Sequence, residues 1–402
     1  MNTPPIKVLV LLSRFPYPLE KGDKLRAFQH LKNLSMSGYE VHLVAVSDVE
    51  VTALHLAMVS PFCASVEVIS LPLATRVMNL ARSFVLGLPL QVGYFYSPHA
   101  QALIDAKISA VQPNVVYCQL IRMANYLSRD RSSIPAVIDY QDAFSVGTEQ
   151  RVRTAPWFLR PFYTRELRLV RQFESSSFSW FHKHIIISEQ DRSVMTSGGD
   201  AMTVLPNGLD ADYFSPRSCE KIVDVLFVGN MNYPPNVVAA CFLVEKIMPI
   251  VWSALPTVSV QIAGATPDRR ARSLASERVR VTGWVDDIRT CYASSRVFVA
   301  PMQTGTGLQN KLLEAMAMAI PCITTPISAQ PLGAVAERDI LIGEDAQSIA
   351  NQMIRLLENA DEAQHLGLRG REFIVEKFRM EQTRTALDEA IREALSMHDR
   401  GR

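Results

Sequence analysis

The stretch GTGLQNKLLEAMAMAIP, Gly305–Pro321, combines two flexible glycines, a lysine and a glutamate three residues apart. Gly305 and Gly307 permit tight turns and close approach of a ligand to the backbone, with Thr306 between them. A helix beginning near Gln309 would present its first amides, and the positive end of its dipole, to an anion. Lys311 adds a full positive charge in the first turn, and Glu314 projects from a neighbouring position on the same face. A phosphate would repel Glu314, so this carboxylate is better placed a few ångströms away, accepting hydrogen bonds from sugar hydroxyls. Phosphate at the helix start and a carboxylate for a ribose suggest a nucleoside diphosphate. A plain strand–loop–helix with a solvated lysine and glutamate would show the same pattern.

The elements that hold this loop repeat along the chain. At 402 residues, the chain exceeds what one hydrophobic core usually serves, which points to two domains. Strands are expected at 7–12, 40–46, 65–70, 115–118, 136–139 and 184–187. The grammar restarts after Pro216, with strands at 223–228, 259–263, 278–282, 297–300 and 322–324. Helix-period segments lie between them, including 24–37, closed by Gly38, and 237–250, 287–293 and 310–319. Alternating strand and helix implies parallel sheets covered by helices, with ligands bound beyond the carboxyl ends of the strands. The fold class is therefore α/β, with two doubly wound halves meeting near residues 200–220 and the cleft between them as the default site.

Composition narrows the function. Hydrophobic residues make up 48% and charged residues 20% of the chain, as in ordinary folded proteins. A net charge of +1 argues against a general nucleic-acid binder. Six scattered cysteines form no CxxC pair and read as reduced thiols rather than disulfides or a zinc site. His182 and His184 alternate at a strand entry and read as structural, since two ligands do not make a metal site. No secretory signal is expected. The run IKVLVLL reads as a buried first strand, and no other run is long enough to cross a bilayer. The absence of GxGxxG after the first strand argues against a redox Rossmann enzyme.

The motifs, in their order and spacing, resemble the retaining GT-B glycosyltransferases of family 4, the glycosyl transferases group 1 family, over nearly the whole chain. LPNGLDADYFSP (Leu205–Pro216) matches IPNG(V/I)D-x-x-x-F-x-P, and VLFVGN (Val225–Asn230) matches the entry to the second domain. Thr282–Ser294 matches tGwV-D-D-x-x-x-x-Y-x-x-(A/S), and Leu313–Pro321 matches LEAMA-x-x-x-P. RFPYPLEKGDKLRAFQHLKNL and FVGNMNYPPN further resemble sugar transferases associated with PEP-CTERM/exosortase exopolysaccharide clusters. The resemblance implies two Rossmann-like domains facing a central cleft. Residues 1–205 would bind the acceptor and 206–375 the nucleotide sugar, with 376–402 a terminal helix packing back on the first domain. It implies no cofactor and no required metal, the nucleotide-diphosphate sugar serving as co-substrate.

By the same resemblance, Glu314 is the second glutamate of E-x7-E, which holds the ribose. Gly307 and Leu308 match amides near the donor sugar and distal phosphate. Gly22 matches an N-domain loop that closes over the diphosphate, with Asp23 and Lys24 directly after it. Two departures stand out. Thr306 replaces the first glutamate. The arginine and lysine usual after the second domain's first strand are replaced by Asn230 and, further on, by Pro234-Pro235-Asn236; Gly229 and Asn230 remain expected contacts of the nucleotide sugar. Lys311, usually an apolar position, is expected to supply replacement charge, with help from Arg14, Lys24 and Arg26. The loop VIDYQDAFS lacks the histidine of many relatives, so Asp142 becomes the candidate contact to acceptor or donor sugar; an Asx-turn or helix cap is the alternative.

Arg151–Phe173 carries six arginines with Trp157, Phe158, Phe162 and Tyr163 interleaved, and Glu166 as its sole acid. Such a stretch suits an anionic membrane surface, as does nearby 76–90, with Val77, Leu80, Phe84 and Leu88 at helical spacing. Core-facing aromatics beneath a solvated arginine face would read the same way. The expected function is sugar transfer from a nucleotide-diphosphate sugar to a glycan or polyprenyl-linked acceptor in bacterial exopolysaccharide or cell-surface glycan synthesis. The expected location is cytoplasmic, with a peripheral position on the cytoplasmic face of the inner membrane as a variant. Alternatives are a catalytically silent sugar-nucleotide-binding subunit and another GT-B enzyme such as a nucleotide-sugar epimerase.

Overall fold

A computed structural model describes residues 4–127, 134–195, 198, 201–304 and 307–400. The chain divides into two compact units. One contains the described residues up to Pro206 together with those from Thr383 onward; the other runs from Asn207 to Gln382.

The first unit is built on seven strands: β1 (Lys7–Leu12), β2 (Glu40–Ser47), β3 (Ser65–Ser70), β4 (Val115–Gln119), β5 (Ala136–Asp139), β6 (Lys183–Ile186) and β7 (Met202–Val204). They lie in the order β3-β2-β1-β4-β5-β6-β7, every neighbour parallel. Strands buried on both faces read as continuous apolar runs, which is why KVLVLL was legible. Leu9 and Leu11 enter one core, with Val44 and Ile138. Val8, Val10 and Leu12 enter the other, with Leu31 and Leu34 from the helix Gly22–Met36. That helix is followed by Gly38, whose φ of 84° suits glycine. Leu387, Ala390, Ile391 and Ala394 of the terminal helix Met380–Arg400 complete the second core. Burying a leucine such as Leu31 contributes about 1.5–3 kcal/mol.

The second unit contains β8 (Val223–Val228), β9 (Val260–Ala263), β10 (Val279–Val281), β11 (Ser295–Ala300), β12 (Cys322–Thr324) and β13 (Leu341–Ile342), ordered β10-β9-β8-β11-β12-β13 and parallel throughout. β7 and β13, the short edge strands of their sheets, lie outside the sequence expectation. The helical stretch Pro234–Ala254 corrects another expectation: by length and composition its 21 residues could span a bilayer. Val237, Leu243, Ile247, Met248 and Val251 are buried, so it is a core helix of this unit.

In both sheets the winding direction reverses between the first strand and the strand that follows the third, at β1/β4 and at β8/β11. Ligands of such sheets bind at the carboxyl ends there. In the first unit a buried ion pair fixes the loops at this point. Arg26 Nε and Nη2 donate to Asp139 at 2.6 and 3.1 Å, and both side chains are fully buried. Tyr117 Oη donates to the same carboxylate at 2.7 Å, and the Gln141 amide at 3.0 Å. Burial works against ionising Asp139, but Arg26 and its hydrogen bonds outweigh this and hold its pKa below the usual value. Asp139→Asn should therefore destabilise the protein by about 3–5 kcal/mol, because it leaves Arg26 buried beside a neutral group; urea unfolding at neutral pH measures this, and a loss below about 1 kcal/mol would contradict it.

Candidate functional site

In the second unit the helix Asn310–Ala317 starts beside the loops after β8 and β11. Gln309 is its N-cap residue, and the side chain of Asn207, from the LPNGLD motif, donates to Asn310 Oδ1 at 3.0 Å. Gly307 has φ +80°, and a Cβ there would meet open space. Leu308 is buried. Gly305 and Thr306 lie outside the described residues.

Lys311 is half-buried. Its Nζ donates to Asn236 Oδ1 at 2.7 Å and Gln309 Oε1 at 3.2 Å, and lies 3.6 Å from Met302 Sδ. Asn236 in turn donates to the Asn230 carbonyl at 3.0 Å, so the ammonium is tied to the loop that leaves β8. Burial lowers the Lys311 pKa to about 8, while Glu314 acts to raise it. The lysine is thus charged at neutral pH and easily discharged above it. Glu314 Oε2 accepts a 2.8 Å hydrogen bond from Tyr292, whose hydroxyl also lies 3.3 Å from the Lys311 carbonyl. Burial raises the Glu314 pKa to about 7; Tyr292 and Lys311 act in the opposite direction.

Gly229 and Asn230 sit where β8 ends. Asn230 Oδ1 accepts from the Asn232 amide at 2.9 Å and from Thr266 Oγ1 at 3.0 Å. Gly264, after β9, has φ +139°, and a Cβ there would lie 1.9 Å from the Gly229 carbonyl oxygen. Only glycine lets these two loops pass so closely. The structure thus gathers Gly229, Asn230, Gly307, Leu308, Lys311 and Glu314 in one unit. Asn236, noted in the sequence only as part of a stretch that lacks a cation, joins them, as do Tyr292 and Gly264, which were not singled out. Tyr292 was accessible to sequence reasoning as the tyrosine of the Thr282–Ser294 motif.

The other candidates share the carboxyl edge of the first sheet. Gly22 opens the helix Gly22–Met36, with open space where a Cβ would be. Asp23 accepts from Arg14 Nη1 at 2.5 Å and lies 4.0 Å from Arg122 Nη1. Lys24 is buried and pairs with Glu20 at 3.1 Å. Asp142 follows β5; burial, then Asp191 and Asp23, raise its pKa to about 7 against the pull of Arg122. Arg26 departs from the expectation of a phosphate helper, since full burial and Asp139 hold it in the core. Among the described residues, no three His, Cys, Asp or Glu side chains are grouped to hold a metal ion.

Residues 223–359 match the family model described as Glycosyl transferases group 1. An uncharacterized 44.6 kDa protein in the cps region of Klebsiella pneumoniae is 22% identical over 393 residues, covering 92% of this chain and 96% of that protein. Sucrose-phosphate synthase from Thermosynechococcus elongatus superposes with a TM-score of 0.72 at 16% identity, over 97% of this chain and 99% of that one. Anabaena HepE, solved in complex with UDP and glucose, gives 0.67 at 13% identity, over 95% and 98%. WaaG, a glycosyltransferase involved in lipopolysaccharide biosynthesis, gives 0.64 at 12%, over 96% and 99%. Two parallel-sheet α/β domains with these likenesses give the chain the GT-B fold. Over residues 223–359 it is similar to the glycosyl transferases group 1 family.

The coupling of Lys311 to Glu314 can be read directly. In wild type, NMR of ¹³C-methylated lysines should show Lys311 titrating near pH 8. Glu314→Gln removes the negative charge that favours the ammonium, so the titration should move to lower pH. An unchanged or higher midpoint would show that the two groups do not interact.

Proposed function

We propose that the chain is a retaining, metal-independent glycosyltransferase of the family 4 kind. It moves a sugar from a nucleotide-diphosphate sugar to a glycan or lipid-linked acceptor in exopolysaccharide or cell-surface glycan synthesis. The unit from Asn207 to Gln382 binds the donor, and the other unit binds the acceptor. The observation that carries this reading is the 2.7 Å bond from Lys311 Nζ to Asn236, which brings a cation to the loop after β8. Support for the donor class comes from HepE, whose solved structures include complexes with UDP and with UDP-glucose. Support for the setting comes from the relative in a cps region.

In this reading the amides of Gly307 and Leu308, in the loop ahead of the helix, and the ammonium of Lys311 face the diphosphate. An incoming phosphate oxygen displaces the weak Met302 sulfur contact and keeps the Asn236 bond. Tyr292 occupies one oxygen of Glu314, so the other accepts from the ribose hydroxyls. As the glycosidic bond to the diphosphate breaks, the sugar becomes oxocarbenium-like, and negative charge grows on the leaving phosphates beside Lys311. Front-face attack, with the leaving phosphate taking the acceptor proton, gives retention. Asp142 contacts the acceptor or donor sugar.

An inverted helix supports a membrane position. In Leu73–Leu86 the polar Asn79 and Ser83 are buried, while Leu73, Val77, Met78, Phe84, Val85 and Leu86 are exposed, Val85 by 82%. Asn79 Nδ2 donates to the Tyr94 carbonyl, which fixes this orientation. Arg165 stacks over Phe84 at 4.4 Å, linking this helix to Arg160–Phe178, ahead of which Trp157 is 81% exposed and Phe158 is also exposed. Arg151, Arg153, Arg160, Arg168 and Arg171 are exposed around them. The aromatics are therefore not core residues beneath an arginine face. Outward apolar side chains ringed by arginines fit an anionic bilayer, at the cytoplasmic face of the inner membrane, where a polyprenyl-linked acceptor resides.

Lys311→Ala should lower turnover by roughly one to three decades, with near-normal thermal stability, in an assay of sugar release from UDP-, GDP- or dTDP-sugars; near-normal turnover would remove Lys311 from the reaction. For the membrane surface, the protein should float with phosphatidylglycerol vesicles at low salt and less so with phosphatidylcholine alone. Trp157→Ala with Phe158→Ala should weaken flotation about tenfold. Equal flotation of wild type and variant would set this surface aside.

A further inference from the structure

Arg122 plays no part in the reading above, and its surroundings are unlike those of a structural arginine. It lies just after β4, at the point where the order of the first sheet reverses. The chain leaves β4 through Leu120, buried, with φ +66° and ψ 143°, and leaves β5 through Gln141 with φ +64°. Neither is glycine, so both loops hold conformations that L-residues rarely adopt. One presents Arg122 and the other Asp142.

The Arg122 side chain is 14% exposed and lies against two rings, 5.4 Å from Phe95 and 5.1 Å from Phe144. Nη2 donates to Gln91 Oε1 at 3.1 Å. Nε and Nη1 have no hydrogen-bond partner among the described residues, and Asp23, the nearest carboxylate oxygen at 4.0 Å, is already bonded to Arg14. Burial lowers the Arg122 pKa to about 10, which still leaves it charged at neutral pH. Arg26, in the same unit, shows what a structural arginine does here: it closes two bonds onto one carboxylate. Arg122 is held as rigidly by its rings yet keeps donors unspent.

We propose that Arg122 is an oxyanion-binding residue of the first unit, taking a phosphate group of a sugar phosphate whose hydroxyls reach Asp142. A guanidinium fork matches phosphate with two parallel bonds, and stacking on aromatic faces preorganises it. The proposal rests on the reading of this unit as the acceptor-binding one and adds the acceptor's class: a sugar that carries a phosphate, as a lipid-linked sugar does.

The test titrates the full chain by calorimetry with glucose 1-phosphate, glucose and UDP. Wild type should bind glucose 1-phosphate in preference to glucose. Arg122→Met, which keeps the buried stem, should lose at least about tenfold in affinity for glucose 1-phosphate while UDP affinity stays within about twofold. Arg122→Lys keeps the charge without the fork and should lose severalfold, which provides the measurement should the methionine variant not fold. Lys311→Ala, measured alongside, should lose UDP and keep glucose 1-phosphate, so that the donor reading stands or falls separately. A loss confined to UDP would assign the oxyanion to the donor's diphosphate and overturn the sugar-phosphate source. Wild-type affinity for both probes in Arg122→Met, or no binding of glucose 1-phosphate by wild type, would overturn the site.

Discussion

A parallel sheet covered on both faces has one place for polar chemistry: the carboxyl ends of its strands, where the order reverses. Both units obey this constraint. In the second unit it sets Gly229-Asn230, after β8, beside the loop that follows β11 and the helix carrying Lys311 and Glu314. The approach of Gly264 to the Gly229 carbonyl shows how tightly the edge is drawn. In the first unit it sets Arg14, Gly22 and Asp23, after β1, beside Arg122 and Asp142.

Charges placed at such an edge are partly stripped of water, so each must find a partner or shift its pKa. Three solutions coexist in this molecule. Arg26 closes two bonds onto Asp139, whose carboxylate also accepts from Tyr117 and the Gln141 amide, and this cluster serves the fold. Lys311 and Glu314 are held by neutral partners, Asn236 and Tyr292, and have their pKa values drawn toward neutrality by burial. Arg122 is fixed by aromatic rings and keeps donors in reserve. The degree of satisfaction separates a structural charge from one poised for a ligand better than burial does, since Arg26, Lys24 and Arg122 are all largely covered.

Much of this was legible in the sequence, for identifiable reasons. β1, β3, β5, β8 and β12 were read with the bounds they have; for β1 and β5 the reason is that buried parallel strands are continuous apolar runs closed by turn residues. Lys311 and Glu314 were legible because their relation is local, three residues along one helix. Their partners were not: Asn236 lies 75 residues from Lys311, and Tyr292 lies 22 from Glu314. Arg122 carried no local signal at all, since Phe95 and Phe144, on either side in sequence, meet it only in the folded unit. The helix Leu73–Leu86 was legible as amphipathic but not in its sense, because hydrogen bonding of Asn79 inward turned the apolar side out. Thr306, which replaces the first glutamate of the resembled motif, lies outside the described residues.

The departures around the proposed donor site then acquire a common explanation. In the resembled motif, cations follow the first strand of the second domain, where this chain has Asn230 and Asn236. A cation in that loop and a cation in the helix Asn310–Ala317 are different in sequence but need not differ in where their charge ends up. Asn236 Oδ1 holds the Lys311 ammonium at 2.7 Å, and Asn236 Nδ2 holds the Asn230 carbonyl, so one amide joins both stretches. An asparagine suits this task because it accepts and donates at once, which a lysine at 236 could not do. Placing the charge on the helix also sets it beside Glu314, whose carboxylate favours the ammonium against the cost of burial. On this view the lost loop cations and the gained helix lysine are one substitution spread over three positions, and Lys311 cannot be understood apart from Asn236.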